Sequence, residues 1–218
     1  ENAEGKSSMN EKIRTVIFTV VVTAVFVFMV SGVNALLNDK IVANRTIARQ
    51  KVILRLFGLY QPDNQLPDPA IPQLFASATA RVSFPEKPAL ECYRPSQGTS
   101  RFFVVAFSGQ GFWDNISGFI ALDLDQGKIG GLEFTQHGET PGLGGRISEP
   151  EFRARFKDKP INSIRSDGLR LKIVAEGSAT KPDEVDGITG ATGTSNAIEK
   201  LINNTITSFI SLNEGGKQ

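Results

Sequence analysis

Uncharged positions run unbroken from Thr15 to Asn38, and no other stretch of the chain is so long without charge. The 24 residues TVIFTVVVTAVFVFMVSGVNALLN are apolar on every face of a helix. At about 1.5 Å per residue they reach roughly 36 Å, more than the ~30 Å hydrocarbon core of a bilayer. Secretory h-regions are shorter, about 7–15 residues, so the pattern predicts a permanent transmembrane helix. Lys6, Lys12 and Arg14 precede it; Lys40, Arg45, Arg49, Lys51 and Arg55 follow. The positive-inside rule does not separate these two sides. The short tail favours a cytoplasmic N-terminus with the rest exported.

Beyond the span the periodicity changes. Ile41, Ile47, Val52, Ile53 and Leu54 recur at loosely helical spacing among basic residues, which predicts a juxtamembrane helix over 39–60. Residues 61–95 contain seven of the eleven prolines, so long regular elements are not expected there. Segment 61–100 is read as a wrapping linker. The apolar run 102–107 predicts a buried strand, GFIALDLD at 118–125 a half-exposed one, and 128–136 a neighbour joined by the Gln126-Gly127 turn. Phe152 and Phe156 share one face of a short helix at 150–156, and 169–174 alternates again. Ile198, Leu201, Ile202, Ile206, Phe209 and Ile210 form an apolar stripe over 194–212. The expected fold is α+β, with a mostly antiparallel sheet and packed helices in 101–218, behind an N-terminal tail at 1–14 and one transmembrane helix at 15–38.

Composition narrows the chemistry. The formal net charge of +1 gives no basic field for nucleic acid. One cysteine, Cys92, excludes an intramolecular disulfide and any iron–sulfur cluster or zinc site built from Cys ligands of this chain alone. One histidine, His137, excludes a multi-His metal site, and no metal is expected. Redox or hydrolytic chemistry therefore requires a cofactor or carboxylates.

Two glycine-rich segments are candidate sites. HGETPGLGGR at 137–146 follows a strand and lets backbone amides approach a ligand. It is neither a Walker loop nor a dinucleotide fingerprint, and an ordinary turn is the plain alternative. DGITGATGTS at 186–195 leads into the amphipathic helix, with Thr194, Ser195 and Asn196 as candidate N-caps. A helix N-terminus there would stabilise a phosphate. Gly190 and Ala191 are small enough to leave the Thr192 hydroxyl open.

These residues resemble a known family. DGITGAT is similar to the Asp-x-x-(Ser/Thr)-Gly-Ala-Thr flavinylation motif of the covalent-FMN subunits. These are the C subunit of Na+-translocating NADH:quinone reductases and the G subunit of Rnf ferredoxin:NAD+ reductases. ETPGLG at 139–144 resembles the family's second signature. GQGFW at 109–113 and TPGLGG resemble the quinone-reductase branch more than the Rnf branch.

The resemblance implies that 101–218 is an FMN-binding domain. Thr192 would carry FMN through a phosphoester made by a flavin transferase, which recognises Asp186 and Thr189, and Gly190 and Ala191 would belong to the same cofactor site. Glu139, Thr140, Gly142, Leu143 and Gly144 would lie along the isoalloxazine ring, with Leu143 against its face and Trp113 walling the pocket or lying in the core. The implied partners are the other membrane subunits of the complex. The implied location is the bacterial inner membrane, with the FMN domain on the periplasmic side, as an electron relay that catalyses no net reaction alone. A stand-alone anchored flavoprotein and a non-redox binding module are the other classes the residues allow.

Overall fold

A computed structural model describes residues 2–61, 63 and 66–215, with side chains described from residue 12 to residue 214. Two compact units result, Glu1–Thr46 and Ile47–Gln218. Helix α1 runs continuously over Asn2–Leu56. Its section from Lys12 is long and apolar enough to cross a membrane. In the first unit Val16, Phe18, Phe28 and Leu36 are all exposed among the described residues.

The second unit is built on a five-stranded antiparallel sheet in sequential order. Its strands are β1 (Thr79–Val82), β2 (Cys92–Pro95), β3 (Phe102–Gln110), β4 (Asn115–Asp123) and β5 (Lys128–Gln136). Both faces are covered, which is why 102–107 and 119–122 read as continuous apolar runs rather than alternating ones. Val105, Phe107, Ile120 and Leu122 share a core with Ile198, Ile202, Ile206 and Phe209 of helix α4 (Thr192–Gly215). Val104, Phe119 and Ala121 instead pack on Ile53 in the last turns of α1. Leu54 and Ile71, the latter opening helix α2 (Ile71–Ala78), close a third cluster with Tyr60. Lys51 pairs with Asp68 at 2.6 Å and Arg55 with Glu133 at 3.3 Å. Helix α3 (Pro150–Ala154) and a parallel pair, β6 (Lys172–Val174) with β7 (Glu184–Asp186), complete the α4 side.

The sheet does not begin near residue 101. The wrapping segment 61–100 supplies α2, β1 and β2, and the compact unit opens at Ile47. Its strands are four residues long and lie among prolines, too short to show a period. The C-terminal helix also starts two residues earlier than its apolar stripe implies, because its first turn faces the site rather than the core.

Candidate functional site

Three segments distant in sequence meet at the N-terminus of α4. They are the 111–114 turn between β3 and β4, the 139–145 loop after β5, and the turn 188–191 that enters the helix. The Ala191 carbonyl accepts from the Ser195 amide at 2.9 Å, so Ala191 occupies the cap position. Thr194 and Ser195 lie inside the first turn instead of capping it. The amides of Thr192, Gly193 and Thr194 have no acceptor within the helix and carry its positive end. Gly190, at φ +78°, makes the turn that aims the chain into the helix.

Glu139 fastens the three segments together. Its side chain points inward and only 4% of the residue is exposed. Oε1 accepts from the amides of Phe112 at 2.9 Å and Trp113 at 3.0 Å, while Oε2 accepts from the Thr194 hydroxyl at 2.6 Å. Burial alone pushes the Glu139 carboxyl up. The Thr194 hydroxyl and the amides of Trp113, Asp114 and Phe112 outweigh burial and hold it below the ordinary carboxylate value. Two glycines make room for this clasp. A Cβ on Gly111 would lie 2.5 Å from Glu139 Oε1 and 2.6 Å from the Asp114 carbonyl oxygen, and one on Gly144 would collide with the Thr194 hydroxyl.

Around the clasp lies an apolar rim. Phe112 is 58% exposed and Trp113 68%, in an edge-to-face pair with centroids 5.3 Å apart. Leu143 is also exposed, and a Cβ on Gly190 would lie 3.2 Å from its Cδ2. Gly193 is equally constrained, since a Cβ there would run into the Phe112 ring. Trp113 is thus a rim residue and not a core aromatic. Thr140 and Gly142 are exposed on the same loop, Gly142 at φ +75°.

Three threonines stand near the helix start, in different situations. Thr194 is 2% exposed and its hydroxyl is committed to Glu139. Thr189 is exposed, but its hydroxyl and its amide both bind Glu176, the amide at 3.0 Å. Thr192 is exposed, and its hydroxyl has no hydrogen-bond partner among the described residues.

Asp186 does not reach this rim. Its Oδ1 accepts from the amides of Ser178 and Ala179, both at 2.9 Å, and closes a neighbouring turn. Arg155, just after α3, donates to the carbonyls of Asp186 at 3.0 Å and Gly187 at 2.6 Å, and to Glu176 at 3.0 Å. The hydrogen bonds from Thr189, with that from Arg155, draw the Glu176 carboxyl down to about 2. Sequence reading missed Arg155 and Glu176, because neither lies in a glycine-rich segment. Nothing in the sequence around Thr194 points to its bond with Glu139.

The site can hold a phosphorylated planar ligand. Free helix amides meet a phosphate, and the exposed rings of Phe112 and Trp113, with Leu143, meet an aromatic ring system. Glycines stand wherever a side chain would fill the cradle. FMN has both parts. A family model described as "FMN-binding domain" matches residues 111–207, a stretch that contains all three converging segments. All three segments of the site therefore lie within the stretch that is similar to an FMN-binding domain.

The chain is also similar to proteins that share one name. The chain is 31% identical to the C subunit of the Na+-translocating NADH-quinone reductase of Pseudomonas aeruginosa over 149 residues, covering 66% of this chain and 57% of that protein. With the C subunit of the Yersinia pestis enzyme it is 33% identical over 100 residues, covering 46% of this chain and 38% of that one. The chain thus spans little more than half the length of the first relative and less of the second. The crystal structure of the C subunit from Parabacteroides distasonis has the same fold, with a TM-score of 0.63 at 24% identity, over 81% of this chain and 96% of that one.

Proposed function

We propose that the chain is a membrane-anchored electron-transfer subunit that carries FMN covalently on Thr192, as one relay of an ion-translocating NADH:quinone reductase. The observation that carries this reading is the contrast among the three threonines at the helix start: of these, Thr192 alone is exposed with a hydroxyl that has no hydrogen-bond partner among the described residues, and it stands at free helix amides inside an apolar rim. Attachment is a group transfer from FAD. The Thr192 oxygen bonds to the FMN-side phosphorus, the phosphoanhydride bond breaks, AMP leaves, and the hydroxyl proton goes to solvent or a base of the flavin transferase.

FMN, once bound, supplies one- and two-electron chemistry. The chain's residues supply its place. The amides of Thr192, Gly193 and Thr194 face the phosphate. Phe112, Trp113 and Leu143 cover apolar ring surface and exclude water. Glu139 keeps the loop and the aromatic turn at fixed distances from the helix. Asp186, Arg155 and Glu176 act one step back, by shaping the turn that the transferase must enter. The apolar stretch 15–38 anchors the protein in the inner membrane, and the FMN domain lies on the periplasmic side.

The test has two parts. Co-expression with the flavin transferase should give a fluorescent band in a denaturing gel, lost in Thr192→Ala and kept in Thr189→Ala. A band that persists in Thr192→Ala overturns the attachment. Reporters fused after residue 218 test topology: an outside-only reporter should be active, and a cytoplasm-only reporter being active instead reverses the orientation.

A further inference from the structure

Strand β3 is longer than the neighbour that covers it. β2 pairs with it only at Cys92–Val105 and Tyr93–Val104. The last bond on that side runs from the Ala106 amide to the Glu91 carbonyl at 2.8 Å. β3 continues to Gln110, paired with β4 throughout, and the Gly111 amide closes the other side on the Asp114 carbonyl at 2.9 Å. These two bonds fix the alternation. Odd-numbered residues from 107 turn their backbone groups to β4, and even-numbered ones turn away. Ser108 and Gln110 therefore present N–H and C=O groups to an open edge. The 2.9 Å contact between the Ser108 and Ser117 hydroxyls agrees with a non-hydrogen-bonded pair at that register.

Natural sheets blunt open edges with charge, proline, bulges or a covering element. Residues 106–110, Ala-Phe-Ser-Gly-Gln, contain no charge and no proline, and the β3–β4 register has no shift. A cleft of about 560 Å³ takes in Ser108 at this edge and extends over Ser117–Phe119 of β4 and Thr135 and Gln136 of β5. Leu90 and Glu91, and Leu201, Asn204 and Thr205 of α4, also line it. Arg49 at the cleft is neutralised by Glu91 and lies over the Phe119 ring at 5.1 Å. Lys87, exposed at the mouth, has no carboxylate partner among the described residues.

The geometry points to a docking site in which an extended segment of a partner protein adds as a strand beside Ser108–Gln110. Backbone groups repeating every second residue match a polypeptide. Alternate side chains of the segment face Leu90 and Leu201 and are apolar, and an acidic one meets Lys87. Such a strand runs along β3 toward Phe112 and Trp113, so its owner is brought up to the FMN site. The inference rests on the reading of the chain as one relay of a membrane complex.

The test compares the full chain alone with the chain co-purified with its partner subunits, by hydrogen exchange at the Ser108 and Gln110 amides. Exchange should slow by about tenfold or more in the assembly. Ser108→Pro removes a donor that β4 does not use. It should keep the melting temperature and the flavin adduct but lose most of the assembly. Lys87→Glu should weaken assembly without touching the strand. Unchanged exchange in a formed complex overturns the docking site and leaves the relay reading standing. A slowing that depends on the concentration of the isolated chain also overturns it, by making the occupant a second copy. Full assembly by both variants does the same. Failure of the wild-type chain to assemble at all overturns the relay reading and this inference with it.

Discussion

The Thr194 hydroxyl donates to the Glu139 carboxylate over 2.6 Å and joins residues 55 positions apart. One acid side chain thereby holds the loop after β5, the aromatic turn after β3 and the first turn of α4 in register. Glu139→Ala would leave the amides of Phe112 and Trp113 and the Thr194 hydroxyl without an acceptor. Hydrogen bonds to a charged group are worth about 1.5–3 kcal/mol each, and the bonds of one group do not add. A loss of about 3 kcal/mol is expected, measured by urea unfolding. Glu139→Gln should recover part of it.

Acid should open the same clasp. The native Glu139 carboxyl lies below its ordinary value of 4.5, so its contribution is complete above that value and is lost as pH falls through the lowered native one. Melting temperature should therefore decline below about pH 4.5 more steeply in the wild type than in Glu139→Gln. Equal slopes in the two proteins would show that the carboxylate charge does not stabilise the clasp.

Arg155→Met should loosen the turn that presents Thr192 while leaving the core packed. Its guanidinium ties the Asp186 and Gly187 carbonyls to Glu176. Flavin incorporation by the transferase should slow severalfold, with a stability loss of about 1–3 kcal/mol. Incorporation at the wild-type rate would argue that the turn holds itself.

Cys92 should be inert in the native protein. It is fully buried between β1 and β3, and burial pushes its thiol up to about 12. Iodoacetamide at pH 8 should label it only after denaturant is added. Labelling of the native protein would place the strand 92–95 outside the packed sheet.

The site's glycine loops, the apolar span, β3 to β5 and the α4 stripe were all legible, because each rests on local composition or period. The long strands carry runs of apolar residues, and α4 carries one continuous stripe. β1, β2 and α2 were not legible. They are short, lie among prolines and gain their order from pairing with β3 and packing on the α1 end. Glu139 was legible as a site residue on a loop facing a ring, but its side chain turns inward as a clasp. Three partners far away in sequence dictate that orientation, and no local pattern encodes them. Arg155 and Glu176 act through backbone carbonyls and a threonine, contacts to which a motif is blind.

Peptide-level mass spectrometry of protein made with the flavin transferase tests the central claim most directly. Trypsin should release residues 173–200, since Lys181 precedes a proline and resists cleavage. That peptide carries Thr180, Thr189, Thr192 and Thr194 together. The account predicts an added mass of FMN less one water, with fragment ions placing it on Thr192. An unmodified peptide, or fragments that place the mass on Thr189 or Thr194, would contradict it.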